Sequence, residues 1–537
     1  MRARIFLLAC FPLTLLAHEH DHGAPALGNI GKAHLATSCN EAAQKEIDRG
    51  TALIHSFWYA EAEKAFRRAG EADAACGMAW WGVAMSNLHP IWAPPTPNEL
   101  KAGIDAAARA KTAGAKTDRE RAYIDAINIY YSDSDKLDHR TRMLAYEKAM
   151  DALSAANPKD HEAAIFHALA LLGIADAKDK TYANQKKAGE ILNRMLALEP
   201  QHPGIAHYII HSFDYPELAN LALPAARTYA KLAPGSPHAL HMPSHIFTRL
   251  GLWEESIASN LASAEKARSY IAHMNPGAVS FEELHAVDYL VYAYLQRGQN
   301  DKARALRDRL NEIVKVDNPT FSAGYALAAV PARYALERRQ WKEAAALTVP
   351  ANVPWEKYAY AEASIHFAVG IGAARSNQPE IAQRAIDRLA AIRQTLIDQK
   401  DRYWPDQVEI QRLAVVAWLA RAQNKDDEAM KQMRAAADLE ASTEKHPVTP
   451  GAIVPARELL SEMLLEMGKP DESLAEAEHA LRDAPNRYNG LWLAAQAAER
   501  AGKTEVARGY RAKIAALRDL TGAPVSVPAL RVPLAQY

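Results

Sequence analysis

The chain has 537 residues, a formal net charge of −1 and 49% hydrophobic residues. That length is too great for a single compact core, and that apolar content excludes a disordered chain. The balanced charge offers no general attraction to nucleic acid or an anionic membrane, so no nucleic-acid partner is expected.

The chain opens with a targeting pattern. Arg2 and Arg4 precede the apolar run IFLLACFPLTLLA, which is too short to span a bilayer and has the flanks of a signal peptide. Cleavage after Ala17 is expected, giving a signal peptide over 1–17 and an exported, soluble mature protein, periplasmic or secreted. A lipoprotein reading through Cys10 ranks second. No later run approaches a transmembrane segment.

Residues 18–37 form a histidine-rich linker that begins HEHDHGAP. A free α-amine at His18 with the imidazole of His20 in third position is a candidate Cu(II) or Ni(II) site. The plainer alternative is a solvated tail. HEHDH also matches H-E-x-x-H, but Gly23 and Pro25 deny it the helix that motif needs. Cys39 and Cys76 then remain as a pair in an exported chain, and a disulfide is expected between them, with two buried thiols as the alternative.

From residue 38 to 520 apolar and alanine positions recur at three- and four-residue spacing, as in AEAEKAFRRA and NQKKAGEILNRMLALEP. Proline and glycine punctuate at short intervals, so the helices are short and paired. The turn phrases LGLWEES, QRGQNDKA, RQWKEAA, NKDDEAM, MGKPDES and AGKTEVA return along the chain, and Gly468 stands 34 residues before Gly502. Gly50, Tyr59, Ala62, Phe66 and Ala69 have the rhythm of one helical hairpin. On these residues the chain resembles the tetratricopeptide repeat (TPR) family. In ALIHSFWYAEAEKAF and PGAIVPARELLSEMLLEMGKPDES it is similar to bacterial exported TPR proteins, here with a histidine-rich groove. The resemblance implies an all-α, TPR-type helical-hairpin solenoid of roughly eight to ten hairpins with a right-handed superhelix. A proline-rich insert, HPIWAPPTPNEL at 89–100, interrupts the second repeat, and an extended tail over 521–537 follows the solenoid.

The chemistry concentrates in two phrases, PGIAHYIIHSF and HALHMPSHIF. Pro200 and Pro234, Pro203 and Pro237, His207 and His241, His211 and His245 are each 34 apart, so two histidine pairs occupy equivalent places on neighbouring first helices. Each pair is i, i+4 and shares a helix face, and His238 joins it one turn earlier. Aligning Gly251 with Gly298 brings His285, Asp288 and Tyr292 into the same register on the next first helix. Imidazoles on rigid helices suit a transition metal, so His207, His211, His238, His241, His245, His285 and Asp288 are candidate ligands, with Asp214 as a ligand or an anchor behind one. Pro243 is expected to kink or restart its helix. His55, His89, Trp92, Tyr208 and Tyr292 are expected to shape the groove; His366, His446 and His479 show no register with the cluster.

Three functions stay open. The first is a groove binding Cu or Zn or a polar ligand. The second is an interaction scaffold that holds a partner polypeptide without metal. The third is a metalloenzyme with an open coordination position.

Overall fold

The computed structural model describes residues 27–351 and 353–518. The expected signal peptide, Cys10, His18, His20 and the expected tail over 521–537 lie outside the described residues. The fold is a TPR-type helical solenoid. Successive helices pair antiparallel, from Glu41–His55 with Tyr59–Ala72 to Tyr488–Arg500 with Thr504–Arg518. The only strands among the described residues are Val279–Ser280 and Val316–Asp317, which pair in parallel.

Small residues let the hairpins close. A Cβ on Gly82 would lie 2.1 Å from the Phe66 ring, so that ring can cross the helix only over a glycine. Helix starts carry the expected chemistry: Thr96 and Glu99 form a capping box, Asp160 caps the helix His161–Gly173, and prolines open the helices at Pro203 and Pro237. At Pro243 the helix ends and restarts, giving Pro237–His241 and Pro243–Arg249 around a helical Met242. His245 and His241 thus stay one turn apart across the break.

Cys39 and Cys76 are disulfide-bonded, with Cα atoms 5.3 Å apart. The linker residues 27–37 form no helix or strand, and Leu27, Ile30 and Leu35 are buried as this segment passes Gly235, Pro203 and Gln44. Gly235 N–H donates to the Asn29 carbonyl.

The groove is closed rather than open. One apolar cluster runs from Leu27 to Phe247 and a second from Tyr325 to Leu464. Distant turns of the solenoid also meet each other. The helix Glu41–His55 packs on Pro203–Phe213, and Phe281–Gln296 packs on Tyr488–Arg500. Buried Arg487 binds Glu458 and Glu337 and donates to the Tyr292 hydroxyl. The proline-rich segment 443–455 crosses the interior. Glu444 N–H donates to the Ala177 carbonyl, and Arg333 donates to the Ala452 carbonyl. An open solenoid groove needs water along its length. Here the chain's own later segments take that place.

Candidate metal centre

The equivalent helix positions set up two groups of three imidazoles, each fully buried. His207, His211 and His238 form one, and His241, His245 and His285 the other. Within each group the ligating atoms lie within 4.8 Å of one another. Group membership does not follow the helices. His238 leaves its own helix neighbours and turns to His207, with Nε2 atoms 3.2 Å apart, while His211 Nε2 lies 3.1 Å from the same atom. His241 Nε2 and His245 Nε2 are 3.0 Å apart, and the His285 ring lies 4.1 Å from the His241 ring, tilted by 48°. The groups adjoin: facing rings are 6.0 Å apart for His211 and His245, and 6.1 Å for His238 and His241.

The far side of three rings is tied to obligate acceptors. His207 Nδ1–H donates to the His55 carbonyl at 2.6 Å. His241 Nδ1–H donates to Asn260 Oδ1 at 2.6 Å; that amide is oriented by its own NH2 group, which donates to the Ser256 carbonyl. His245 Nδ1–H donates to the Asp214 carboxylate at 2.9 Å. A neutral imidazole carries one N–H, so each of these rings presents a lone pair at Nε2, and that of His245 has the Tyr289 hydroxyl 3.3 Å away, a hydroxyl equally close to the Val448 carbonyl. In the second group two such lone pairs face each other across 3.0 Å.

Burial pushes these imidazoles below their ordinary range: His207 to about 3, and His211, His238, His241 and His285 well down, with neighbouring histidines adding to the effect. For His245 burial also lowers the value, against the opposing pull of Asp214. Burial alone would raise Asp214, but Lys445 and Arg249 outweigh it and hold it charged, with Lys445 Nζ at 2.6 Å and Arg249 Nε at 2.9 Å. Asp214 therefore stands behind His245.

Aromatic rings jacket the two groups. Phe57 stacks on His211 and His238, Tyr229 stacks on His207, Trp92 meets His238 edge-on, and Tyr289 contacts His241, His245 and His285. Such a shell lowers the dielectric and limits water. A cleft of about 540 Å³ reaches His211, with Leu172, Tyr215, Tyr403 and His446 on its walls.

The remaining expected site residues fall elsewhere. Asp288 belongs to neither group; it sits 3.6 Å from Arg333, and burial raises it to about 6. Tyr292 is engaged by Arg487. His89 turns to the Ser86 carbonyl. Tyr208 and His55 form a separate buried chain: Tyr208 O–H donates to His55 Nδ1, while His55 Nε2–H and His202 Nε2–H donate to the two oxygens of Glu162. Burial works to raise Glu162, but His55 and His202 outweigh it and hold the carboxylate well below its usual range. This trio of His55, His202 and Glu162 also converges like a ligand set, but every Nε2 there already has an acceptor. Its hydrogen bonds satisfy it, whereas His241 and His245 face lone pair to lone pair.

Sequence reasoning missed Asn260, Glu162, His202, Tyr289 and Lys445, and it set aside His446, which lines the cleft. Only Tyr289 carried a local signal, standing four residues after His285 on one helix face.

No family model matches the chain, and no curated protein does. Solved structures are similar in fold. The human IFIT1 dimer with m7Gppp-AAAA is 11% identical, over 90% of this chain and 96% of that one, with a TM-score of 0.38. The Cut9 and Hcn1 hetero-tetramer of the APC/C is 12% identical, over 85% and 76%, with a TM-score of 0.37. Likeness at this level concerns the arrangement of helices and says nothing of what this chain binds.

Proposed function

We propose that the chain is an exported metal-binding solenoid whose two histidine groups each hold a transition-metal ion, Cu or Zn. The observation that carries this reading is the pair of Nε2 lone pairs of His241 and His245 facing each other at 3.0 Å, each fixed by an acceptor behind its ring. Two lone pairs so placed repel unless a positive centre lies against both. Two nitrogens bound at about 2.0–2.1 Å to one tetrahedral ion would stand about 3.3 Å apart, close to the 3.0–3.2 Å spacings of both groups. The acceptor behind each of these rings has the role that such partners play in metal sites, orienting the imidazole and raising its basicity.

Three protein ligands and an open fourth position are the pattern of a reactive rather than a closed structural site. Export is supported by the Cys39–Cys76 bond, since disulfides persist in oxidising compartments. No helix among the described residues is long and apolar enough to cross a membrane. A scaffold that grips a peptide with these same histidines fits less well, because the rings are buried under Phe57, Tyr229 and Tyr289.

The test is metal titration of the purified mature chain, with His211→Ala, His245→Ala and the double variant. Wild type should bind two ions per chain, each single variant should lose one, and the double variant should lose both. Full stoichiometry in the double variant would defeat the proposal. A His366→Ala control should change nothing.

A further inference from the structure

We infer that the two histidine groups act together as one two-copper centre that is loaded as Cu(I) and takes up dioxygen through the cleft at His211. This rests on the metal-binding reading above and adds the ion, its charge and the small molecule it meets.

The donor set selects the charge. Imidazole binds a metal as the neutral ring, and neither group contains a carboxylate. The nearest acid, Asp214, is already matched by Lys445 and Arg249, so the protein supplies no spare negative charge there. The cost of placing an ion in a low-dielectric interior grows with the square of its charge. Two divalent ions would bring four positive charges into this space, each at about four times the self-energy of a monovalent ion. Zn has no monovalent alternative in water. Copper does, imidazole suits it, and a three-nitrogen set without further ligands satisfies a monovalent d10 ion while leaving room for a small molecule.

The placement selects the partner. His238 and His241 belong to different groups yet lie three residues apart on one short helical stretch, so the two ions would be held by one rigid element. Facing rings 6.0 and 6.1 Å apart put the two sites side by side, as in two-metal centres, where ions stand about 3.5–4 Å apart. The jacket of Phe57, Trp92, Tyr229 and Tyr289 leaves little room for a bulky reactant. The cleft reaches the pair at His211, where Leu172 and Tyr403 form part of its wall.

The chemistry balances without another reagent. Each Cu(I) gives one electron and becomes Cu(II). Dioxygen takes the two electrons and is reduced to peroxide held between the ions, and its O–O bond order falls from two to one. No proton is consumed, and release of dioxygen reverses the step.

The experiment loads the mature protein with a Cu(I) salt under argon, removes the excess and admits dissolved dioxygen. Copper content, oxygen uptake and the electron paramagnetic resonance signal are read together. The expected result is two coppers per chain, one dioxygen per copper pair and a signal at least tenfold below that of the same amount of isolated Cu(II), because paired spins cancel. Leu172→Trp, which narrows the cleft without touching a ligand, should keep both coppers and slow the uptake at least tenfold. Two bound coppers that take up no oxygen, or that give the full isolated Cu(II) signal, would overturn the inference and leave the metal-binding reading intact. Failure to bind copper while two Zn ions bind would overturn it as well. Failure to bind either metal would remove both readings.

Discussion

Asn260→Leu separates metal affinity from folding. In wild type the Asn260 carbonyl holds the proton of His241 on Nδ1, and its NH2 group donates to the Ser256 carbonyl, four residues back on its own helix. Leucine has a similar volume and accepts nothing. Without metal, the His241 proton can then move to Nε2 and donate to His245 Nε2, 3.0 Å away. Two hydrogen bonds of about 1 kcal/mol net each are lost with the amide and one is gained in front of the ring, so the metal-free protein should lose about 1 kcal/mol. Metal binding must now displace that proton and orient a ring that nothing holds. Partners behind a ligating histidine are worth about 10–100-fold in affinity, or about 1.4–2.8 kcal/mol. The assay is competition with a chromophoric Cu(I) chelator, with thermal unfolding of the metal-free protein alongside. The site of His207, His211 and His238 serves as an internal control that keeps its ion. Asn260→Asp, whose carboxylate holds the same tautomer, should bind at least as tightly as wild type. Unchanged affinity in Asn260→Leu, or a metal-free protein destabilised by more than 3 kcal/mol, would refute the reasoning.

Glu162→Gln should cost about 3 kcal/mol near pH 7 by breaking a buried charged network. The folded value of Glu162 lies below the unfolded one, so its contribution is present above about pH 4.5 and fades as pH falls through the folded value. The gap between wild type and variant in denaturant midpoint should therefore narrow in acid, and a constant gap from pH 7 to pH 3 would contradict this. Arg487→Ala leaves Glu337 and Glu458 buried without their cation and should cost about 3–5 kcal/mol, with faster proteolysis around residues 485–489 as its signature. Reduction or Cys39→Ser with Cys76→Ser should cost roughly 3–4 kcal/mol for a loop of this span, read as an earlier unfolding of the first hairpins; an unchanged transition would show that the bond contributes nothing.

The helical class was legible because it depends on local periodicity: three- and four-residue apolar spacing, proline at helix starts and glycine at turns act within one hairpin. The histidine pairs were legible for the same reason. One repeat period and one helical turn are both short-range rules, and they place His207 with His211 and His241 with His245 whatever the surroundings. How the six rings divide was not legible. His238 goes to His207 and His285 goes to His241 because of what stands behind and around each ring, and those neighbours come from far along the chain. The His55 carbonyl is 152 residues from His207, and Lys445 is 231 residues from Asp214. No spacing rule reaches across such separations. The closing of the groove was hidden likewise. It depends on segment 443–455 and Arg487 meeting residues that stand far earlier in the chain, such as Ala177, Arg333 and Tyr292. So the residue types and their helix faces were settled by the sequence. The lone pairs left facing each other, the rings buried around them and the cleft that reaches them arise only when distant turns of the solenoid pack together.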